Sequence, residues 1–564
     1  MLFGIDVGGT CTDGALYENG QLLFTSKHPT CPNDLKSSLL AVLKDLLSAS
    51  PAKGKPLHRL VISTTLVTNL LAAGQGNRTA LILLPGHSLP QDAYRIAPDQ
   101  FFLNGMVDFR GKEAEPIPPK DLETLLVWLK NGGFSHAAIA GKFSSRNPVQ
   151  ELQVERFLAE HLPDCHLTLS HRISARLNFP RRAVTAYYTE TVREKWENFV
   201  QELQNALDSL HLTCDIEILK ADGGTMPLKT MSDFPCETIF SGPAASVMGA
   251  LALHPQSGNA VVIDVGGTTC DLALIVGGQP LYASRGAAIA GHPTQIDAFA
   301  VHSLALGGDS RITAEDGAVF VQPVRRGPAV CFGGTDVTLT DTMNVLHGLQ
   351  LANSAASRQA VEQAAEQAGL SPEELCRQAE TQAVGKLTGE IRRMFRQWET
   401  EPAYKVWEVV HRQPFRVETL IGIGAGADLL LPQTAEALGI PFVRSAFAPV
   451  ANAMGAAVVR PTLRVSLHAD TAAGTCTVSP PTQTGKLENP RRVQLADMKE
   501  MAASHLRELA IAEGLSPEAV RDLHFYLEEQ FNVISGWGET DGRIFDVGVE
   551  IRTGFIDEFT GVNA

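Results

Sequence analysis

Two short motifs, each with an aspartate in front of a glycine turn, carry the most chemical information in the sequence. Residues 5–10 and residues 263–268 both read IDVGGT. Glycines at such a turn let the backbone approach a phosphate closely, and the turn amides and the threonine hydroxyl can donate hydrogen bonds to its oxygens. The preceding aspartate can hold water on Mg²⁺ or orient an attacking group. Two such turns facing each other would bind a triphosphate from both sides.

These motifs define most of the predicted site. Asp6 and Asp264 are predicted to be catalytic and to bind the Mg²⁺ of Mg-ATP. The predicted phosphate-binding residues are Gly8, Gly9, Thr10, Thr12, Asp13, Gly266, Gly267, Thr268 and Thr269. Either motif alone would be equally well explained as a tight hairpin turn with glycine in a left-handed conformation. Two matching copies favour nucleotide binding.

The motifs belong to a longer internal repeat. Residues 3–28 and 261–286 align at a constant offset without a gap, and the turn signal Asn19-Gly20 recurs as Gly277-Gly278. Each copy predicts three short antiparallel strands joined by two tight turns. A repeat that agrees through two consecutive turns indicates a duplicated α/β domain.

A third glycine-rich segment follows both repeats. Residues 420–428 read LIGIGAGAD and precede LLLPQTAEALG, which predicts a strand, a glycine turn and a helix from about 430 to 438 that ends at Gly439. Gly422, Gly424 and Gly426 are predicted to contact the nucleotide, because such a turn lets the backbone approach a ribose or a base and the helix start adds positive potential.

Length and composition limit the choice of protein class. A chain of 564 residues predicts about three or four domains. The net charge of −15 argues against nucleic acid and anionic membranes as partners. The nine cysteines are scattered without a CxxC pair, which favours reduced thiols. Without a secretory signal or an apolar run long enough for a membrane helix, the expected location is the cytoplasm.

The pattern of elements predicts three regions. Residues 1–180 form a first half and residues 181–465 a second half, with a helical insertion near 352–398. Residues 466–564 comprise a linker, rich in Thr, Pro, Ser and Gly over 471–490, and a small α+β region.

With these residues in hand, the chain resembles the hydantoinase A/oxoprolinase family of the actin-like ATPase superfamily over roughly residues 1–460. The motifs that carry the resemblance stand in the family's order at residues 6–13, 63–69, 143–148, 221–224, 241–244, 264–268, 307–310 and 333–341. The resemblance implies an α/β fold of two duplicated ribonuclease-H-like domains of the actin/hexokinase type, with mixed sheets. It also implies ATP and Mg²⁺ as cofactors.

The resemblance also implies a class of substrate. Family members use ATP to open cyclic amides such as hydantoins and 5-oxoproline, and others are subunits of ATP-dependent ketone carboxylases. The implied partners are a small amide or carbonyl substrate and either a second copy of the chain or a hydantoinase B-like subunit. A small-molecule kinase on the same fold and an ATP-gated subunit of a larger complex remain alternative hypotheses.

Three acidic residues and one histidine are candidates for the second substrate. Asp297 and His302 align with an Asp/His element of the family that leads to the loop at Gly307. They are predicted catalytic residues, although binding a metal or holding the loop in place by hydrogen bonds are alternatives. Asp309 replaces the third glycine of that loop and is assigned to the second ligand. Asp341 is a candidate for contacting Mg²⁺ or substrate.

Overall fold

The computed structural model describes residues 1–31, 34–52, 54–87, 89–210, 212, 214–400, 416–534 and 540–562. A six-stranded mixed sheet forms the base of the first half. Its strands, in spatial order, are Thr225–Pro227, Asp215–Leu219, Arg59–Thr64, Leu2–Val7, Cys11–Glu18 and Gln21–Pro29. The first repeat supplies the three antiparallel strands, and two later strands join in parallel. Helices Leu35–Ser48 and Phe179–Ser209 share a core with this sheet through their buried leucines and aromatics.

A second α/β unit is inserted between two strands of this sheet. Its four parallel strands, in spatial order, are His166–Leu169, His136–Gly141, Ala80–Leu84 and Gln100–Phe102. Helices Pro119–Gly132 and Val149–His161 pack on it and form a separate core. We call this unit the inserted subdomain. A small hairpin of Met106–Val107 and Glu113–Glu115 adjoins it.

The boundary predicted at residue 180 needs correction. Residue 180 lies inside the 31-residue helix Phe179–Ser209, and strand Asp215–Leu219, beyond that helix, completes the first sheet. The sequence placed the boundary too early because the inserted subdomain separates strands that are neighbours in the sheet.

The second half repeats the first arrangement. Its sheet contains, in spatial order, Gln279–Pro280, Cys270–Val276, Ala260–Val265, Thr419–Ile423 and Phe442–Val443. The register repeats as well, because Asp6 faces Asp13 and Asp264 faces Asp271. The third strand of the second repeat, Gln279–Pro280, is only two residues long. It pairs with the end of Cys270–Val276, and Val301–Leu304 pairs with the beginning of the same strand on the same side.

The predicted helices of the insertion are confirmed. Ser354–Gln367 and Pro372–Thr400 pack with Leu339–Leu346 into the core of the second half. The helix after the third glycine segment is confirmed too: it spans Ala427–Leu438 and ends at Gly439, whose φ is +69°. Two short hairpins in this half are Ala288–Ile289 with His292–Pro293 and Ile312–Glu315 with Ala318–Val321.

The C-terminal region is a five-stranded sheet packed on one long helix, Leu495–Ala512. The strands, in spatial order, are Gln483–Lys486, Thr475–Ser479, Arg464–Asp470, Thr540–Ile551 and Leu523–Ile534. The linker predicted over 471–490 is therefore wrong, because two of these strands lie within it. Short polar edge strands share the composition of a linker. No helix among the described residues is long and apolar enough to cross a membrane.

Helix Ala451–Val458 packs closely against both halves at glycines. A Cβ atom added to Gly4, on the first strand, would lie 1.9 Å from the Ala453 carbonyl oxygen. One added to Gly249, on helix Ser241–Leu253 of the second half, would lie 2.0 Å from the Ala451 carbonyl oxygen. Neither backbone contact has room for a side chain.

We therefore expect Gly249→Ala to lower the free energy of unfolding by about 1–3 kcal/mol or more, because the new methyl group meets backbone that cannot move aside. Gly385→Ala is a matched control. Gly385 lies in helix Pro372–Thr400 with nothing within 4 Å of an added Cβ, so the same change should stabilise the protein by about 0.5–1 kcal/mol. Urea unfolding of both variants measures the difference. An unchanged stability of Gly249→Ala would contradict the packing described here.

Candidate active site

The two predicted phosphate turns have the same geometry. The Gly8 amide donates to the Cys11 carbonyl oxygen at 3.1 Å, and the Gly266 amide donates to that of Thr269 at 3.0 Å. The next two residues of each turn, Gly9-Thr10 and Gly267-Thr268, are exposed. Their exposure leaves the phosphate contacts predicted for these positions open.

Four aspartates stand in two cross-strand pairs behind the turns. Asp6 is directly opposite Asp13, and Asp264 is directly opposite Asp271. Residues opposite each other in antiparallel strands project on the same face of the sheet. The partner of Asp13 is Lys27, whose Nζ lies 2.6 Å from Asp13 Oδ1 and 3.2 Å from the Pro449 carbonyl oxygen.

Asn452 connects the aspartates of the two repeats. Its Nδ2 donates to Asp6 Oδ2 at 3.2 Å. On the other side, Ser246 Oγ donates to Asp264 Oδ2 at 2.7 Å and lies 3.1 Å from Asn452 Oδ1. Ser246 belongs to helix Ser241–Leu253 and Asn452 to helix Ala451–Val458. A chain of side chains thus runs from one turn to the other.

Burial disfavours the ionised form of these carboxyl groups. It raises the pKa of Asp6 to about 7 and that of Asp271 to about 6, and the charge of Asp264 adds to both effects. Burial also raises the pKa values of Asp13 and Asp264, against the opposing charge of Lys27. Such a group of carboxylates is stabilised by protons or by a cation.

One oxygen of the group lacks a well-formed hydrogen bond among the described residues. Asp6 Oδ1 is buried and makes no hydrogen bond of normal geometry with the described residues, although the neighbouring Ser63 hydroxyl lowers the pKa of this carboxyl group somewhat. A buried polar atom left unpaired is costly and calls for a ligand, water or ion. No set of three or more His, Cys, Asp or Glu side chains in the described chain is placed to hold a metal. Carboxylate oxygens such as those of Asp6 and Asp264 are of the type that Mg²⁺ accepts as ligands.

The third glycine segment supports the second turn rather than forming a separate loop. Gly424 has φ +80°, and a Cβ atom there would lie 2.4 Å from Asp264 Oδ1. Gly426 packs in the same way on Val265. Gly422 lies in strand Thr419–Ile423, and its Cα faces Phe442 and Leu431. Gly422 therefore has a packing role, which corrects the predicted contact with the nucleotide.

Two polar residues near the turns differ from their predicted roles. Thr12 is fully buried and its hydroxyl hydrogen-bonds that of Thr30 at 2.8 Å, so it is not available to a phosphate. Asp309, which was assigned to the second ligand, lies against the second phosphate turn: a Cβ atom on Gly267 would meet its Oδ2 at 2.6 Å. Arg325 Nε lies 2.9 Å from this carboxylate and offsets its repulsion of a phosphate.

The predicted Asp297–His302 pair points to different parts of the molecule. Asp297 accepts hydrogen bonds from Arg176 at 2.6 and 2.9 Å and also contacts Arg464. His302 Nδ1 instead lies 2.7 Å from Glu390 of the inserted helix Pro372–Thr400. The two side chains therefore have separate surroundings, although they are five positions apart in the sequence.

Asp341 is a structural residue. It caps helix Leu339–Leu346 and is completely buried. Its carboxylate accepts five hydrogen bonds, from Val330 N, Cys331 N, Thr338 N, Thr338 Oγ1 and Ser357 Oγ. The predicted contact with Mg²⁺ or substrate is wrong, because both oxygens are already used within the protein.

Comparison with known proteins identifies the family. The family model described as hydantoinase/oxoprolinase matches residues 182–465, and the model of the hydantoinase/oxoprolinase N-terminal region matches residues 2–162. The chain belongs to the hydantoinase/oxoprolinase family. The family resemblance and the fold inferred from the sequence are both confirmed.

Relatives and solved structures agree with this family and fold. The chain is 24% identical to the caprolactamase subunit alpha of Pseudomonas jessenii over 60% of this chain and 53% of that one. It is 25% identical to the acetophenone carboxylase gamma subunit of Aromatoleum aromaticum, over 61% and 52% respectively. The chain thus spans about half the length of these curated relatives. The crystal structure of ATP-dependent caprolactamase from P. jessenii superposes with a TM-score of 0.70 at 19% identity, covering 97% of this chain and 87% of that one.

The sequence did not reveal three residues of this candidate site. Lys27, Ser246 and Asn452 contact the aspartates, but Asn452 is 446 residues away from Asp6. Asn452 stands in the small-residue run APVANAMGAA. A lone amide in a tightly packed helix was the available signal, because a buried polar side chain needs a partner. The identity of that partner depends on the fold.

Asp6→Asn should change stability in a pH-dependent way. The raised pKa means that the folded protein holds this proton more tightly than the unfolded chain does. The wild-type free energy of unfolding therefore falls as the pH rises from about 4 to about 7, and it stays low at higher pH. The amide has no charge to bury, so the variant should be more stable than wild type at pH 8 by on the order of a few kcal/mol, with little gain at pH 4.

Urea unfolding at both pH values checks this expectation. Asp99→Asn serves as the control, because Asp99 pairs with Arg78 at the surface and its loss should give no gain at pH 8. An Asp6→Asn variant that is less stable than wild type at pH 8 would show that the ionised carboxylate is well solvated.

Proposed function

We propose that the chain is an ATP-dependent enzyme that hydrolyses a cyclic amide of the hydantoin or 5-oxoproline type, or a related carbonyl compound. ATP would bind between the two halves with Mg²⁺, and phosphorylation would activate the substrate carbonyl. The observation that carries the proposal is the hydrogen-bonded chain Asp6–Asn452–Ser246–Asp264, which joins two identical phosphate turns. Membership of the hydantoinase/oxoprolinase family supports the amide substrate.

Each part of the site has a role in this proposal. The exposed amides and hydroxyls of Gly9-Thr10 and Gly267-Thr268 would bind phosphate oxygens. Asp6, whose Oδ1 lacks a well-formed hydrogen bond, and Asp264 would hold Mg²⁺ through oxygen ligands. The metal would supply positive charge that stabilises phosphoryl transfer. Asn452 and Ser246 would keep the two carboxylates at a fixed separation.

The first test concerns nucleotide binding and turnover. Millimolar Mg-ATP should raise the melting temperature, because a ligand that binds only the folded state stabilises it. Asp264→Asn should retain the fold, since the side chains are nearly isosteric, and lower ATP turnover by roughly 10²-fold or more. Asp99→Asn should leave turnover unchanged. An Asp264→Asn variant with wild-type turnover would place the chemistry elsewhere.

A second candidate function is that of a subunit in an ATP-dependent carboxylase. The observation that favours it is that similar chains are the acetophenone carboxylase gamma subunit and the acetone carboxylase beta subunit of Xanthobacter autotrophicus. A hydantoinase B-like partner subunit would then complete the enzyme. Product analysis separates the two functions. A carboxylase forms a new carboxylic acid from a ketone, ATP and bicarbonate, whereas an amidase opens the ring without bicarbonate.

A further inference from the structure

Three side chains form a row across the sheet of the first half, behind the phosphate turn. Asp6 lies opposite Asp13, and Asp13 lies opposite Lys27 on the third strand. Residues opposite each other in antiparallel strands project from the same face of a sheet, so the lysine stands on the face that carries both aspartates. Its Nζ lies 2.6 Å from Asp13 Oδ1. This row therefore contains two carboxyl groups and one ammonium group.

The corresponding row of the second half ends in a hydroxyl group instead of an ammonium group. Asp264 lies opposite Asp271, and Asp271 lies opposite Ser303. The repeat alone would place Arg285 at the position of Lys27, but the third strand of the second repeat ends before it. The two halves therefore present different charges at equivalent positions, and the first half supplies the cation.

Lys27 also contacts the second half. Its Nζ donates to the Pro449 carbonyl oxygen at 3.2 Å. The neighbouring Ala448 carbonyl oxygen accepts from the Gly424 amide at 3.1 Å, and Gly424 packs against Asp264. Burial raises the pKa of Asp264, and the charge of Lys27 opposes that rise. The ammonium group thus lies between aspartates that belong to different halves.

The ammonium group of Lys27 has a donor to spare. It carries three N–H donors, and Asp13 Oδ1 and the Pro449 carbonyl oxygen use two of them. The described residues supply no acceptor for the third. The side chain is 40% exposed, so a ligand can reach this donor. A phosphate that enters between the halves is repelled by the ionised aspartates, and a positive charge placed among them offsets that repulsion.

We propose that the third donor of Lys27 binds the terminal phosphate of ATP, and that Lys27 thereby distinguishes ATP from ADP. The proposal rests on the proposed function, in which Asp6 and Asp264 act on the phosphate that is transferred. Lys27 lies beside the rows of both aspartates, whereas ADP lacks the phosphate that would reach them. Asp13 and the Pro449 carbonyl group are positioning groups, because they hold the ammonium group from two sides before the nucleotide binds.

A second lysine on the same sheet provides a matched control. Lys55 pairs with Glu18, which lies in the strand that also carries Asp13. The Lys55 side chain is 46% exposed, close to the 40% of Lys27. Glu18 stands at the end of this strand that is remote from the phosphate turn. Replacing either lysine with methionine removes an ion pair from the same strand, but only one replacement removes a charge between the two halves.

The first experiment measures the binding of two nucleotides by titration calorimetry. Lys27→Met should weaken the binding of Mg-AMPPNP, an ATP analogue that is not hydrolysed, by about tenfold or more, the size expected for a hydrogen bond to a charged group. The affinity for Mg-ADP should change by less than about twofold, because ADP lacks this contact. Lys55→Met should leave both affinities unchanged. Equal weakening of both nucleotides by Lys27→Met overturns the proposal, and so does an unchanged affinity for Mg-AMPPNP.

The second experiment uses wild-type protein and does not depend on the folding of a variant. Reductive methylation modifies accessible lysines, and peptide mass spectrometry quantifies each site. Mg-AMPPNP should slow the modification of Lys27 several-fold more than Mg-ADP does, and neither nucleotide should change that of Lys55. Equal protection of Lys27 by the two nucleotides, or no protection by either, overturns the proposal while nucleotide binding stands. Wild-type protein that binds neither nucleotide overturns the proposed function, and this proposal with it.

Discussion

Close backbone packing around helix Ala451–Val458 determines where the functional groups of this molecule can lie. The helix contacts Gly4 of the first half and Gly249 of the second half, and neither contact admits even a methyl group. Because it packs on both halves at once, one side chain on it can reach the aspartates of both repeats. Asn452 is that side chain. Its position thus depends on packing between elements that the chain supplies more than 200 residues apart.

This geometry explains why the acidic residues at the turns have raised pKa values. Asp6 and Asp264 belong to separate repeats, and the helix brings both next to Asn452. Burial raises the pKa of both carboxyl groups, and the charges of Asp13 and Asp264 add to the effect at Asp6. Lys27 is the cation beside Asp13, and Asp6 Oδ1 makes no hydrogen bond of normal geometry in the described chain. An unbalanced group of carboxylates lowers the stability of the free protein. It would also increase the affinity for any cation that binds beside these carboxylates.

The sequence predicted those features that are encoded locally or by repetition. The hairpin strands, the turns and the helix after Gly426 depend on short-range signals, and the register of Asp6 with Asp13 follows from the repeat. Contacts between residues distant in sequence were not predictable in this way. Asp297 and His302 are near in sequence, yet one pairs with Arg176 and the other with Glu390. When an aspartate pairs with arginines from distant parts of the chain, its neighbours in the sequence do not reveal those partners.

A cavity of about 1600 Å³ between the inserted subdomain, the second half and the C-terminal sheet has several charged side chains in its wall. Arg464 contacts both Asp297 and Glu550, and Arg176 is held by Asp297, so the charges at the centre are largely paired. A ligand there would be recognised through hydrogen bonds and shape more than through net charge. Tyr526 and Glu550 belong to the C-terminal sheet, beyond the residues 182–465 that match the family model. Arg176 and Arg464 are far apart in the sequence, yet both pair with Asp297, so this wall is assembled by the fold and not by neighbours in the chain.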